Sequence, residues 1–177
     1  MSDSITTTNT PRPGESAEQT AARIAPRHAT PCIVFDIDGT IANGDHRVHL
    51  ILSEPKQWDA YFDLCHDDAP IPHMLRVLKS LERDFVIVFV SGRAARSRKK
   101  TEKWLSDHGA YSGRTRLHLY MREDGDHKND DVLKIELLAK LRADGFEPVM
   151  AFDDRTRVVN AWRTAGIPCA QVAPGDF

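Results

Sequence analysis

At 177 residues the chain can bury one substantial core and is short for two. A hydrophobic fraction of 41%, a charged fraction of 28% and a formal net charge of -2 are ordinary for a globular protein and exclude a simple polybasic nucleic-acid binder. Cys32, Cys65 and Cys169 are odd in number and far apart, which points to a reducing, cytoplasmic setting, and no apolar run approaches the ~18 residues of a membrane span.

Residues 1–30 are rich in Thr, Ser, Ala and Pro and lack an apolar signal-peptide core, so they read as a disordered N-terminal arm ahead of one domain over 31–177. Cys32–Asp36 is the first expected strand, a buried central one. The segment 41–72 then breaks the rhythm. It carries Trp58, Tyr61 and Phe62 on a helix after Pro55 and the acidic pair Asp67-Asp68, and reads as a small cap or flap. Further strands are expected at Phe85–Val90, Arg116–Met121, Pro148–Phe152 and Cys169–Ala173. Helices are expected at His73–Glu82, Ala94–His108, Asp130–Ala143 and Thr156–Ala165. Leu75, Leu78 and Leu81 make one apolar stripe and Val132, Ile135, Leu138 and Leu141 another. Gly109, Gly145 and Gly166 follow three helices as stop signals. The alternation predicts an α/β fold with a mostly parallel sheet and helices on both faces.

Four polar clusters fall near strand ends or helix starts: Asp36/Asp38, Ser91-Gly92-Arg93, Asp130 with Lys134, and Asp153-Asp154-Arg155. Taken singly, Asp153 or Ser91 would serve as well as a helix cap, and Lys134 as a solvated residue. Their convergence on the carboxyl edge of the sheet, where open α/β sheets bind ligands, favours chemistry. Several carboxylates close together raise one another's pKa unless a cation is present, and hard oxygen donors suit Mg²⁺. A Ser hydroxyl, an Arg and a Lys beside them make the complementary phosphate site. An Asp on a rigid strand can attack phosphorus, and a second Asp two residues on, expected on the same strand face, can move the proton.

Asp36-x-Asp38-Gly39-Thr40, Ser91, Lys134 and Asp153-Asp154 resemble, in order, the four motifs of the haloacid dehalogenase-like phosphatases. That resemblance implies a Rossmann-like three-layer core, Mg²⁺ and an aspartyl-phosphate intermediate. A closer resemblance is to the 3′-phosphatase domain of bacteriophage polynucleotide kinase/phosphatase. It is carried by Phe35–Ala42, Val90–Arg93, Lys103–Leu105, Met121-Arg122, Asp130–Lys134, Asp153–Thr156, Val158-Val159, Trp162-Arg163 and Gln171–Phe177, and covers Pro31 to Phe177. It implies Asp36 as nucleophile, Asp38 as general acid and base, and Ser91 and Lys134 as phosphate ligands. Asp36, the Asp38 carbonyl and Asp154 would hold the metal with Asp153 beside them. Thr40, Arg47, Gly92, Arg93 and Asp130 would bind substrate. Val48–Lys56 and Gly44-Asp45-His46 depart from the phage pattern. No Gly-x-x-x-x-Gly-Lys-Ser/Thr loop occurs, so a phosphatase-only chain is expected.

Arg93, Arg96, Arg98, Lys99, Lys100 and Lys103 are expected on one basic helix beside the site, where they could follow a polynucleotide backbone. Trp58, Tyr61 and Tyr120 are candidates for base stacking. His46 and His49 read as surface or substrate-contacting flap residues, not zinc ligands. The expected activity is removal of 3′-phosphates from DNA or RNA ends, as in end healing before ligation. The alternatives are a phosphatase for mononucleotides or another small metabolite, and a phospho-accepting or inactive binding module. Composition leaves a homo-oligomer open.

Overall fold

A computed structural model describes residues 29–113 and 116–175, together with Gly14. Apart from Gly14 and its last two residues, the expected N-terminal arm lies outside the described residues, and Thr30 already belongs to strand β1 (Thr30–Phe35). Strand β1 pairs on both edges, with β4 and with β6, and Cys32 through Phe35 are all buried. That double burial explains why the run is apolar without alternation.

After β1 comes an insertion. Strand β2 (Ala42–Asn43) pairs antiparallel with β3 (Ala69–Pro70), and helices α1 (Asp45–Leu52) and α2 (Trp58–Asp63) lie between them. The chain then alternates through α3 (Pro72–Leu81), β4 (Val86–Ala94), α4 (Arg98–Asp107), β5 (His118–Arg122), α5 (Asp130–Ala143), β6 (Phe146–Asp153), α6 (Thr156–Thr164) and β7 (Cys169–Gln171). The five long-range strands form a parallel sheet in the order β5-β4-β1-β6-β7. The α/β fold expected from the alternation is therefore the one observed. The chain leaves β1 toward β4 and β5 and later returns to its other side, so the crevice at the carboxyl end of β1 is a topological switch point.

Alternating side chains of β1 face two cores. Cys32 and Val34 pack with Leu133, Leu137 and Leu141 of α5 and Val158 and Trp162 of α6. Ile33 and Phe35 pack with Met74 and Leu78 of α3 and Trp104 and Leu105 of α4. Each such side chain contributes about 1.5–3 kcal/mol on burial, so the sheet is a stiff platform for whatever its carboxyl edge carries.

Three local expectations change. The buried stripe of α5 is Leu133, Leu137, Leu138 and Leu141, while Val132 is exposed. A strict three-residue spacing drifts round a helix of 3.6 residues per turn, and the true stripe follows the helix period. Strand β4 runs through Ser91, Gly92 and Arg93 to Ala94, with a register shift against β5 between Ser91 and Ala94. The expected helix at Ala94 consequently starts only at Arg98, after a 3₁₀ turn over Ala95–Ser97. Gly109, Gly145 and Gly166 adopt φ of +67°, +89° and +83°, as helix stop signals should. Cys32, Cys65 and Cys169 are buried and unpaired. Among the described residues no helix is long and apolar enough to cross a membrane.

Candidate active site

Asp36 follows the last residue of β1, and the chain turns at once. The Ile37 carbonyl accepts the N–H groups of Thr40, Ile41 and Ala42 at 3.3, 2.9 and 2.9 Å, and Gly39 N–H donates to the Ala42 carbonyl at 2.8 Å. The turn needs φ of +78° at Gly39, which glycine adopts without strain. Asp38 therefore lies in this turn and not on the same strand face as Asp36, which corrects the sequence expectation. Strand β1 ends at Phe35, three residues before Asp38.

One oxygen from each of Asp36, Asp153 and Asp154 lies within 4.8 Å of the others, and all three residues are buried. Asp153 ends β6, the strand beside β1, so the two strand ends bring the acids together. Lys134, one turn into α5, reaches over the edge. Its Nζ donates to Asp36 Oδ1 at 2.5 Å, to the Val90 carbonyl at 2.6 Å and to Asp153 Oδ2 at 3.2 Å. Burial pushes the Asp36 carboxyl well above the usual carboxylate range; Lys134 opposes this, and Asp153 and Asp154 add to it. Burial, followed by the charge of Asp153, raises Asp154 to about 6. Lys134, with the Arg155 guanidinium acting on Asp154, still supplies fewer positive charges than three carboxylates would carry, so the cluster can take up a further cation. A hard divalent cation fits this donor set. Gly39 leaves room for it, since a Cβ there would stand 2.6 Å from the Asp154 carboxyl carbon. The carboxylate of Asp38 is outside this triad.

Asp38 belongs to a second cluster. Arg47 Nη2 donates to Asp38 Oδ1 at 2.5 Å, and Arg93 donates from Nε at 3.0 Å to Oδ2 and from Nη2 at 2.7 Å to Oδ1. Burial alone would raise the Asp38 carboxyl, but the guanidinium groups of Arg93 and Arg47 outweigh it and hold the group well below the usual range. Behind both arginines stands Asp68, which accepts from Arg47 Nε and Nη2 at 2.6 Å each and from Arg93 Nη2 at 2.5 Å. Asp68 also meets His46 Nε2 at 3.0 Å, and its carbonyl accepts the Trp104 indole N–H at 2.7 Å. The insertion thus supplies Arg47 and Asp68, β4 supplies Arg93, and the network ties the insertion to the sheet.

Ser91 is fully buried, and its hydroxyl oxygen accepts the Arg93 backbone N–H at 3.2 Å. Gly92 lines the cavity beside it, and Arg122 Nε donates to the Gly92 carbonyl at 3.0 Å. Asp130 begins α5 and accepts from Arg122 Nη2 at 2.5 Å and from Arg155 Nη1. Thr40 is fully buried, and its hydroxyl has no hydrogen-bond partner among the described residues. The C-terminal segment closes the back of the site. Gln171 Nε2 donates to the Asp154 carbonyl at 2.9 Å, and Val172 N–H donates to the Asp153 carbonyl at 3.0 Å.

A cavity of about 740 Å³ runs from Asp36, Asp38, Gly92, Lys134, Asp153 and Asp154 to the cap. The structure brings Asp36, Asp153, Asp154 and Lys134 together and sets Asp38 beside them with Arg47 and Arg93, while the sequence reading left Asp68, Arg122 and Arg155 without roles. The acidic pair at 67–68 was visible, but an Asp in a flap carries no mark of the partners it will meet. The basic helix is corrected. Arg93 is on β4 and buried, and Arg96 lies in the 3₁₀ turn paired with Asp59. Arg98, Lys100 and Lys103 are paired with Glu102, Asp63 and Asp107 at 3.5, 2.8 and 2.7 Å. Lys99 is exposed on the same helix.

Comparison with known proteins places this geometry. Over 138 residues the chain is 28% identical to an Autographa californica nuclear polyhedrosis virus protein assigned as a bifunctional polynucleotide kinase/RNA ligase, covering 77% of this chain and 18% of that protein. A chain in the structure of the Pnkp1/Rnl/Hen1 complex superposes with a TM-score of 0.67 at 26% identity, over 84% of this chain and 47% of that one. The class C acid phosphatase of Bacillus anthracis shares the fold, with a TM-score of 0.57 at 19% identity over 90% of this chain and 73% of that one. The chain thus spans less than half the length of these two nucleic-acid-linked relatives. The family model for the polynucleotide kinase PNKP phosphatase domain matches residues 30–177, a span that takes in every site residue named above. The chain belongs to that family, and is a haloacid dehalogenase-like phosphoric monoester hydrolase.

Proposed function

We propose that the protein is a Mg²⁺-dependent phosphatase that removes 3′-phosphates from DNA or RNA ends by way of a phosphorylated Asp36. The observation that carries the reading is Asp36 held at 2.5 Å by Lys134 within a buried triad with Asp153 and Asp154. The nucleic-acid end is supported by the family match and by the resemblance of the motifs to the phage 3′-phosphatase domain.

Asp36, Asp154 and the Asp38 carbonyl would hold Mg²⁺ with Asp153 beside them. When bound, Mg²⁺ would offset the charge of the carboxylates and of the transferring phosphoryl group. In the first step a carboxylate oxygen of Asp36 forms a bond to phosphorus as the bond to the 3′ oxygen breaks. The leaving oxygen keeps the electron pair and takes a proton from Asp38. In the second step water attacks the phosphorus of the acyl phosphate, gives its proton to Asp38, and frees phosphate and the Asp36 carboxylate. Lys134 and Ser91 bind the phosphoryl oxygens. Asp38 is ionised between Arg47 and Arg93, the state that accepts the water proton. For the first step an incoming phosphate dianion competes for those two arginines, which loosens their hold and lets Asp38 take up a proton.

The internal pairing of the α4 cations favours a second reading, hydrolysis of mononucleotides or small metabolites. Exposed pairs of this kind are weak and screened by solvent, so a nucleic-acid backbone could still displace them. A matched panel separates the readings: 3′-phosphorylated, 5′-phosphorylated and 2′,3′-cyclic oligonucleotides beside 3′-mononucleotides. Selective Mg²⁺-dependent release from 3′-phosphorylated oligonucleotides is expected. Equal release from 3′ and 5′ ends, or faster turnover of mononucleotides, would contradict the 3′-end assignment.

A further inference from the structure

We infer that Trp58 and Phe62, on the cap wall of the cavity, form a stacking subsite for the nucleobase adjoining the scissile phosphate. The inference rests on the nucleotide-end reading and extends it to the substrate beyond the phosphate.

Among the described residues, Leu52 and Trp58 are exposed by 69% and 42%, and both lie on the wall of the cavity that holds Asp36 and Lys134. An apolar side chain open to water inside a concave site is unpaid for by the fold and marks a surface awaiting a ligand. Trp58 is also held in place. Its ring lies 5.9 Å from that of Phe62 at 23° and 5.9 Å from that of Tyr61 at 87°, one below and one at its edge. Tyr61 is buried and serves the core, with the Arg47 guanidinium 4.1 Å from its ring centre. Trp58 has no such structural duty.

Cations rim the aromatic wall. Lys56 Nζ is 5.8 Å from the Trp58 ring centre and the Arg96 guanidinium 5.7 Å from that of Phe62. Arg96 is already paired with Asp59, but a purely apolar ligand would leave the Lys56 charge unmatched, whereas a nucleotide presents a π face to the rings and a phosphate to Lys56. The wall also falls in and beside Val48–Lys56, the stretch in which this chain departs from the phage pattern. One short wall covers one or two bases, so recognition is confined to the end of the strand.

The test uses Asp36→Asn protein titrated with two short oligonucleotides, one ending in a normal 3′-phosphorylated nucleotide and one in an abasic 3′-phosphate. Binding is read from the fluorescence anisotropy of a dye on the 5′ end of each oligonucleotide, a signal that needs no tryptophan. The base-bearing end is expected to bind about tenfold tighter than the abasic end. Trp58→Ala should remove that difference and Trp58→Phe should keep most of it. Equal affinity for the two ends, binding of neither, or a preference that survives Trp58→Ala overturns the inference. Hydrolysis of both oligonucleotides by protein retaining Asp36 is read separately. A Trp58-dependent preference without any hydrolysis would uphold the subsite and overturn the 3′-phosphatase reading.

Discussion

The Lys134 ammonium donates to Asp36 at 2.5 Å while also spanning to Asp153 at 3.2 Å, so a single cation ties the proposed nucleophile to the proposed metal pair. Burial alone would lower the lysine's pKa, but Asp153 and Asp36 outweigh it and hold the group charged. Replacing Lys134 by Met keeps most of the unbranched side chain and deletes the charge. The expected outcome is a fall in kcat of about 10²–10³, the size seen when one oriented charge-stabilising donor is removed. Steady-state kinetics on a 3′-phosphorylated oligonucleotide measures it, and a change confined to KM would contradict the role.

Asp68 is the counter-ion on which Arg47 and Arg93 both rest. Asp68→Asn keeps the shape and removes the charge, leaving two buried guanidinium groups sharing Asp38. Breaking a buried pair costs about 3–5 kcal/mol, equivalent to roughly 10 °C in a chain of this size. Calorimetry should show that loss, and kcat/KM should fall along with it because Asp38 is no longer held in place.

Gly39 packs against the carboxylate of Asp154 with φ of +78°. Gly39→Ala forces both a strained backbone and a displaced Asp154. Metal-dependent activity is expected to fall by more than about tenfold. Thermal stabilisation by added Mg²⁺ should shrink in parallel, as differential scanning fluorimetry with and without the ion would show.

Burial raises the Asp154 carboxyl to about 6 from an ordinary 3.8 and pushes Asp36 in the same direction. Both bind protons more tightly folded than unfolded, so their stabilising contribution is complete below the ordinary 3.8 and falls as pH rises above it, that of Asp154 being lost through about 6. The displacement at Asp154 corresponds to about 3 kcal/mol. Asp38, held low, acts in the opposite sense, but only well below this window. Chelator-treated protein should therefore gain several degrees in Tm between about pH 7.5 and about pH 5. Added Mg²⁺ should raise Tm most at the neutral end and flatten the profile.

The parallel sheet and the convergence of Asp36, Lys134, Asp153 and Asp154 were legible because strand runs and strand-end acids leave local signatures. Two features were not. Ser91-Gly92-Arg93 reads as a helix start, yet β4 continues through it with a shifted register, which neighbour pairing decides and local pattern does not. Arg93 reads as one of six cations on a basic face. The charge of Asp68, contributed from the insertion 25 residues away, draws it inward instead. Long-range ion pairing of this kind has no periodicity to read.

The central claim is that phosphate passes through Asp36. Acid quenching during Mg²⁺-dependent turnover of an oligonucleotide bearing a radiolabelled 3′-phosphate, followed by peptide mapping, tests it most directly. The account predicts label on the peptide containing Asp36, and neither label nor turnover in Asp36→Asn. Turnover without label at Asp36, or undiminished turnover in Asp36→Asn, would contradict it.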